Sequence, residues 1–369
     1  MESRILNFIM DNPDTWEQKL ADKLIRVNHK GDLACFKYAT EAVFSDPLVC
    51  EARGIIIDTK DMRVVCWPFD KFFNVQETCA AKIDWESARV LEKVDGSLIK
   101  LYWYKDEWQF ATTSTCDAND ANISGHTGVS FMDVIKKASN YDSIPLDELD
   151  KDYTYMFEVV SPMTQIVISY RDTKLYYLAA RSNVTGEEIV ADMGDFPVPR
   201  SYSLRTLNDC MDAVLHLNVD CVDDPQNEGF VVVDKYFNRI KIKSPEYVAV
   251  HKVRTNKVLT AKRITELFYQ GIDLHELSER MPRESRILKY YDWQVAEVLH
   301  SIEDMMNYAR ALYEEYDHDR KAVANAIGNS PYGWAGFKAI GNEKTVEDMV
   351  KIMTPARMEK YIKEYDWAG

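Results

Sequence analysis

The β-leaning residues Val90 and Leu91 run into Lys93-Val94-Asp95-Gly96-Ser97, and a second apolar run, Leu98, Ile99, Leu101 and Tyr102, follows. That order suits covalent transfer of a nucleotidyl group. Lysine attacks phosphorus only as the neutral amine, against a reference pKa of about 10.4, so such a lysine needs neighbours that act on its proton. A glycine close by lets the backbone approach a bound nucleotide. By itself a K-x-D-G tetrapeptide is weak, because such matches arise by chance and the ordinary lysine is a solvated surface charge.

Further segments of the same kind follow in order. Met156-Phe157-Glu158-Val159-Val160 sets one acid inside an apolar strand, and Asn227-Glu228-Gly229-Phe230-Val231 does so again with glycine beside the acid. Arg239-Ile240-Lys241-Ile242-Lys243 alternates, which turns both lysines to one face of a strand. Upstream, Arg53-Gly54-Ile55 and Lys71-Phe72-Phe73-Asn74 add two cations beside apolar runs. Half-buried charges are costly unless something pairs with them, so several strand-borne charges in one region imply a shared, highly charged ligand.

The elements that must hold these residues read as short strands at 34–38, 54–58, 64–68, 89–92, 98–104, 108–112, 153–160, 175–181, 229–234 and 240–242. Helical intervals fall near 129–139 and 203–216, and the N-terminus opens into an amphipathic helix. Strands in runs with helices between them predict an α+β domain with antiparallel sheets. Beyond residue 254 the pattern turns helical. Ile287, Leu288, Tyr291, Val295, Val298, Leu299, Ile302, Met305, Met306, Ala309, Leu312 and Tyr313 recur at helical spacing, and a second run, 346–362, breaks near Pro355. The stretch 329–341 reads as a loop. Two domains are expected, 1–254 and an all-α 255–369.

Together these motifs resemble the covalent nucleotidyltransferase superfamily of ligases and capping enzymes. Their context is similar to the RNA ligase 1 family of T-even phages, through Arg53-Gly54, Lys71-Phe72-Phe73-Asn74, Lys93 to Gly96, Phe157-Glu158, Asn227-Glu228-Gly229, Lys241-Ile242-Lys243-Ser244 and Tyr247. The resemblance implies an ATP-grasp-like ligase fold for the N-terminal domain and ATP-dependent RNA joining. It makes Lys93 the nucleophile that becomes lysyl-AMP, with Lys241, Lys243 and Glu228 as the other catalytic residues. Phe36, Arg53, Lys71, Glu92, Lys93, Gly96, Glu158, Lys241 and Lys243 are the expected nucleotide contacts. Tyr38 is the alternative to Phe36 for stacking on adenine, and a plain core role is open for both.

Magnesium, with manganese as a substitute, is the expected metal, held through water by Asp95 and Glu228. The competing role for those two acids is as salt-bridge partners of Lys241 and Arg53. Like-charge repulsion from Lys241 and Lys243 is expected to lower the Lys93 pKa. Glu158 either accepts from the ribose hydroxyls, holds a metal, or pairs with Arg53. Arg53 has Glu51 or Asp58 as further structural partners. One departure stands out: the related ligases carry a further lysine on the strand after the Lys93 motif, where this chain reads Phe110-Ala111-Thr112-Thr113-Ser114-Thr115. Lys100 and Lys105 are the cations available to compensate.

RNA with 5′-phosphate and 3′-hydroxyl ends is the implied partner, with nicked tRNA one candidate selected by the helical domain. The rival readings are a DNA ligase, a GTP-using capping enzyme, or a noncatalytic nucleic-acid-binding relative. DNA ligases and capping enzymes usually carry an OB-type barrel after the last motif, whereas this tail reads helical. Net charge is −15, which argues against broad affinity for nucleic acid but leaves room for a local basic groove. The run Lys235, Arg239, Lys241, Lys243, Lys252, Arg254, Lys257, Lys262 and Arg263 is the candidate.

The chain has 369 residues, 46% of them hydrophobic and 28% charged, as expected of an ordinary globular protein large enough for two cores. Its 7 cysteines show no C-x-x-C spacing and its 7 histidines no H-x-x-x-H or H-E-x-x-H, against a zinc site. Scattered cysteines and the lack of any signal-like or membrane-spanning run predict a cytoplasmic protein with no membrane partner, expected to be a monomer.

Overall fold

The computed structural model of the chain describes all residues other than 1, 124–125, 169, 218–227, 246, 249–250, 252–258, 281–283, 342–343 and 366–369. It divides into two compact units, Met1–Val248 and Ala249–Gly369. The expected boundary at residue 254 lies outside the described residues.

The first unit is α+β and holds three sheets. One has the order β1 (Ile25–Lys30), β2 (Leu33–Tyr38), β3 (Arg53–Asp58), β4 (Arg63–Cys66), all antiparallel. Its inner strands are apolar on both sides. Ala34, Phe36, Ile55 and Ile57 pack under the helices α1 (Arg4–Asp11), α2 (Trp16–Asp22) and α3 (Pro47–Glu51), while Cys35, Ile56 and Cys66 meet Tyr102, Tyr104 and Ala111 of the next sheet. That double burial is why 54–58 reads as an unbroken apolar run rather than an alternating one.

The second sheet is ordered β11 (Glu188–Ile189), β10 (Lys174–Ser182), β9 (Tyr153–Val160), β7 (Ser97–Tyr104), β8 (Glu107–Thr112). The third is ordered β12 (Ser201–Tyr202), β6 (Arg89–Glu92), β13 (Gly229–Val233), β14 (Arg239–Lys243), β5 (Phe73–Asn74). Only the β14–β5 pair among these strands is parallel. A helix packs on a face of each, α4 (Phe131–Lys136) on the second sheet and α5 (Leu207–Val214) on the third, each begun by a capping box, Ser130 with Asp133 and Thr206 with Asp209.

Every strand expected from the sequence is present. Those missed were β1, which buries only Ile25 fully, and the two-residue strands β5, β11 and β12. Such pieces bury too little to leave a pattern.

The second unit is helical throughout its described elements: α6 (Ala261–Tyr269), α7 (Leu274–Arg280), α8 (Ser285–Glu315), α9 (Arg320–Ile327), α10 (Gly333–Ala339), α11 (Val346–Ile352) and α12 (Pro355–Glu359). The expected loop at 329–341 instead contains α10. Gly333, Ala335, Gly336 and Ala339 are buried, and a Cβ on Gly336 would stand 2.9 Å from that of Ala309. Small residues that look like loop in sequence are there to let α10 approach α8. No helix of the described residues is long and apolar enough to cross a membrane.

Candidate active site

Three strands of one sheet bring the central residues together. Lys93 follows β6, and its backbone N–H donates to the Gly229 carbonyl at 2.9 Å. Glu228 precedes β13, whose Gly229 lies opposite Lys243 of β14. Gly229 has φ +143°, and a Cβ there would run into the Ile242 carbonyl and stand 2.8 Å from the Lys243 Cα, so no larger residue lets the strands close. Along β14, Ile240 and Ile242 are buried while Lys241 and Lys243 share the other face.

Glu228 is only 3% exposed, and each carboxylate oxygen takes one lysine: Lys93 on Oε2, and Lys243 on Oε1 at 2.5 Å. Burial pushes the Glu228 carboxyl up, but the two ammonium groups more than reverse this and hold it below its usual range. Burial likewise disfavours charge on Lys93, yet Glu228, with Glu158 and Asp95, raises its pKa. The expected depression of Lys93 by its lysine neighbours is therefore outweighed by its acidic ones. Lys243 spends its charge on Glu228, and the depressed lysine is Lys241. Burial, then repulsion from Arg53, Lys93, Lys243 and Lys71, brings Lys241 down to about 7.

Asp95 also differs from expectation. Its carboxylate accepts from the backbone N–H of Val167 (2.9 Å) and Ile168 (2.7 Å) on one oxygen, and from the Tyr247 hydroxyl (2.7 Å) on the other. Its own N–H donates to the Tyr170 hydroxyl at 3.3 Å. Asp95 thus ties the Lys93 loop to two distant segments, that of Val167, Ile168 and Tyr170 and that of Tyr247. Gly96 completes the loop: a Cβ there would strike the Val159 carbonyl and stand 3.0 Å from the Glu158 Cγ.

Glu158 lies on central strand β9, opposite Leu98 of β7. Burial raises its carboxyl to about 7 in spite of Lys93 and Arg53, and it makes no ion pair among the described residues. Arg53 stands 4.9 Å and Lys241 5.2 Å from the centre of the Phe72 ring, so Phe72 floors the cationic side of the cleft. Arg53 also donates to the Asp70 carbonyl at 3.4 Å. Its suggested partners are occupied elsewhere: Glu51 accepts from Ile5 N–H, and Asp58 from Tyr104 and its own turn. The Lys71 ammonium sits among Tyr38, Phe44 and Phe73, 4.2 Å from the centre of the Phe44 ring.

Other expected contacts fall elsewhere. Phe36 is fully buried in the core against Trp16, so it presents no face for adenine; Tyr38 is half-buried and edge-on to Phe44. Glu92 ends β6 and accepts from the Arg200 backbone N–H at 3.3 Å. Lys100 is wholly buried with its ammonium on the Gly54 carbonyl, and Lys105 is an exposed turn residue paired with Asp32.

The two acids expected to hold metal-bound water are both engaged, Asp95 by three donors and Glu228 by two lysines. Among the described residues no three His, Cys, Asp or Glu side chains converge as a metal cage. Neither acid pairs with Lys241 or Arg53. Of the basic run, Lys235, Arg239, Lys243 and Arg263 carry acidic partners, and Lys252, Arg254 and Lys257 lie outside the described residues. Sequence reading missed Tyr170, the Val167–Ile168 amides and Lys37, whose ammonium lies 2.6 Å from the Thr113 hydroxyl.

The α+β unit thus sets a buried carboxylate held by two lysines beside cations that have no acidic partner among the described residues. The comparisons give that arrangement its class. The profile of the T4-type RNA ligase 1 family, described as RNA ligase, matches residues 51–247, more than half of the chain, and the chain belongs to that family. An RNA ligase of Rhodothermus phage RM378 is 24% identical over 329 residues, 71% of this chain and 73% of that protein. RNA ligase 1 of bacteriophage TS2126 is 28% identical over 216 residues, 55% and 52% of the two chains. A protein of Autographa californica nuclear polyhedrosis virus, whose name joins polynucleotide kinase to RNA ligase, is 32% identical over 228 residues. The match spans 56% of this chain but only 31% of that viral protein.

Proposed function

We propose that this chain is an ATP-dependent RNA ligase joining 5′-phosphate to 3′-hydroxyl ends through lysyl-AMP and adenylylated RNA. The observation that carries the reading is Lys93 on Glu228, with Lys243 on the other oxygen of the same carboxylate. Lys93 Nζ attacks the α-phosphorus, the Pα–O–Pβ bond breaks, and pyrophosphate leaves. AMP then passes from Lys93 to the RNA 5′-phosphate. Attack by the 3′-hydroxyl on that activated phosphate seals the strand and releases AMP.

The lysine must first lose its proton, and Glu228 is its immediate acceptor. With Lys243 bound, Glu228 is a poor base. When ATP phosphates draw Lys243 away, Glu228 loses a counter-charge and its basicity rises at the moment Lys93 needs it. Lys241 and Lys243 then neutralise charge on the transferring phosphoryl group. Magnesium enters most naturally with the nucleotide, since it favours phosphate oxygens and water over an all-protein cage. Glu158, which makes no ion pair among the described residues, is the acid free to meet the ribose.

The helical unit is assigned RNA selection, with a nicked tRNA as the substrate to test. What supports this is its exposed aromatic surface, Trp293 and Tyr308 of α8 being 58% and 50% exposed, since exposed rings serve as stacking platforms for unpaired bases. Incubation with α-labelled ATP or GTP and magnesium, followed by a denaturing gel, tests the reaction. Label retained from ATP alone is expected; retention from GTP alone would mean a capping enzyme, and none from either a noncatalytic relative. Trp293→Ala should then slow sealing of cleaved tRNA more than of single-stranded RNA at fixed salt; an equal effect removes the role in selection.

A further inference from the structure

Lys37 of β2 lies directly opposite Arg53 of β3. Like charges facing one another across a strand pair are destabilising. The pair nevertheless carries no carboxylate: among the described residues neither Lys37, Arg53 nor Lys100 makes an ion pair. The three are crowded together by Gly54. A Cβ on Gly54, which has φ +97°, would stand 2.9 Å from the Thr113 carbonyl and 3.1 Å from the Lys100 ammonium. Lys100 is held by the Gly54 carbonyl at 2.5 Å and is fully buried, so its charge is fixed behind the site. Lys37 is half-buried and rests on the Thr113 hydroxyl at 2.6 Å, a neutral acceptor that positions an ammonium without cancelling it.

The cluster opens onto the cleft already described through Arg53. Arg53 repels both Lys37 and Lys241, attracts Glu158, and lies over Phe72 beside Lys241. Moving from Lys93 past Lys241 and Arg53 to Lys37, the charges pass from paired to uncompensated. A cation group that the fold leaves without a counter-charge is built for an anion that arrives. Its place is also where the strand following the Lys93 motif lacks its expected lysine, at Thr113.

We propose that Lys37, positioned by Thr113 beside Arg53, binds the β- and γ-phosphates of ATP and steadies the departing pyrophosphate. Lys37 thus supplies from β2 the cation missing after β8. The inference rests on the ligase reading above. The bonds are those of the first step, Nζ–Pα forming and Pα–O–Pβ breaking, with Lys37 and Arg53 taking up the charge that develops on the leaving oxygen.

The test uses the full chain and separates the steps. Lys37→Ser should slow lysyl-AMP formation about 10²-fold, the scale for losing one charge-stabilising group. It should also raise the pyrophosphate concentration needed to strip AMP from the adenylylated enzyme. Transfer of AMP from that purified adduct to 5′-phosphorylated RNA, and sealing of pre-adenylylated RNA, should keep wild-type rates. Adding Thr113→Lys to Lys37→Ser returns an ammonium to the same point from the opposite strand, so the double variant should recover much of the adduct rate. A variant with a wild-type melting temperature and an undiminished adenylylation rate would overturn the proposal. So would an equal loss in AMP transfer, which would assign the phosphate to the RNA end. If Lys37→Ser melts early, Lys37→Gln, which keeps a donor for Thr113, is read in the same way. Absence of adduct in the wild type would instead refute the ligase reading.

Discussion

The two walls of the cleft solve the same electrostatic problem in opposite ways. On the β6–β13–β14 wall, Lys93 and Lys243 are neutralised by one buried carboxylate, Glu228. Facing it, Lys37 of β2, Arg53 of β3 and Lys71 beside Phe72, joined by Lys241 from β14, make no ion pair among the described residues and lean on aromatic rings, a hydroxyl and a carbonyl instead. The paired wall is complete without ligand and stabilises the fold. The unpaired wall stores repulsion that only an anion relieves. Mutations on the two walls should therefore harm catalysis alike and affect stability with opposite sign.

The largest effect belongs to the paired wall. Lys93→Ala should abolish the covalent AMP adduct and the joining of 5′-phosphorylated RNA. Sealing of a pre-adenylylated strand should persist, because that step does not use the amine as nucleophile. A full-strength adduct on denaturing gel would place the nucleophile elsewhere. Next in size is Glu228→Ala, which strands two lysines in a buried setting. Removing one partner of such a group costs about 3–5 kcal/mol, so a large drop in denaturation midpoint should accompany loss of adenylylation. An unchanged midpoint would mean that the paired wall does not stabilise the fold.

The sharpest version of the comparison uses two lysines on one strand. Lys241→Met and Lys243→Met should each slow adenylylation about 10²–10³-fold, since each removes charge stabilisation from the transferring phosphoryl group. Their midpoints should move apart. Lys243→Met leaves one oxygen of Glu228 without its partner and should cost about 1–3 kcal/mol. Lys241→Met relieves repulsion from Arg53, Lys93, Lys243 and Lys71, and should leave the unliganded protein more stable than wild type. Two midpoints moving in the same direction would erase the distinction between the walls.

The sequence reveals much of the paired wall and little of the unpaired one. Lys93, Glu158, Glu228, Lys241 and Lys243 stand out because each interrupts an apolar strand, and alternation along 239–243 fixes which face the lysines share. Asp95 is legible as an acid beside Lys93 but not as a clamp, because its partners Tyr170 and Tyr247 lie 75 and 152 positions away. Lys37 and Thr113, 76 positions apart, meet only once the bulged register of β2 on β3 and the close approach at Gly54 are fixed. Phe36 misleads for a related reason. It lies on the face of β2 that packs under the N-terminal helices against Trp16, and a strand apolar on both faces does not announce which face that is.

The smallest effect is in protons. Lys241 is held down to about 7 from its ordinary 10.5, so above neutrality the folded protein keeps it largely neutral while the unfolded chain keeps it charged. The unfolded state then binds more protons, and this group's contribution to stability rises with pH from about 7 to about 10.5. A bound phosphate reverses the preference, because an anion favours the ammonium. Binding of a nonhydrolysable ATP analogue at pH 8 should therefore take up part of a proton. Calorimetry in buffers of different ionisation enthalpy reads that uptake as the slope of observed heat against buffer enthalpy. Glu158, raised to about 7, adds in the same direction, since a nearby phosphate favours its neutral form. Lys241→Met should lower the uptake, Glu158→Gln should remove a separate part, and Lys243→Met should leave most of it. An uptake unchanged by Lys241→Met would mean that Lys241 is already charged without ligand, and that the unpaired wall stores less repulsion than its geometry implies.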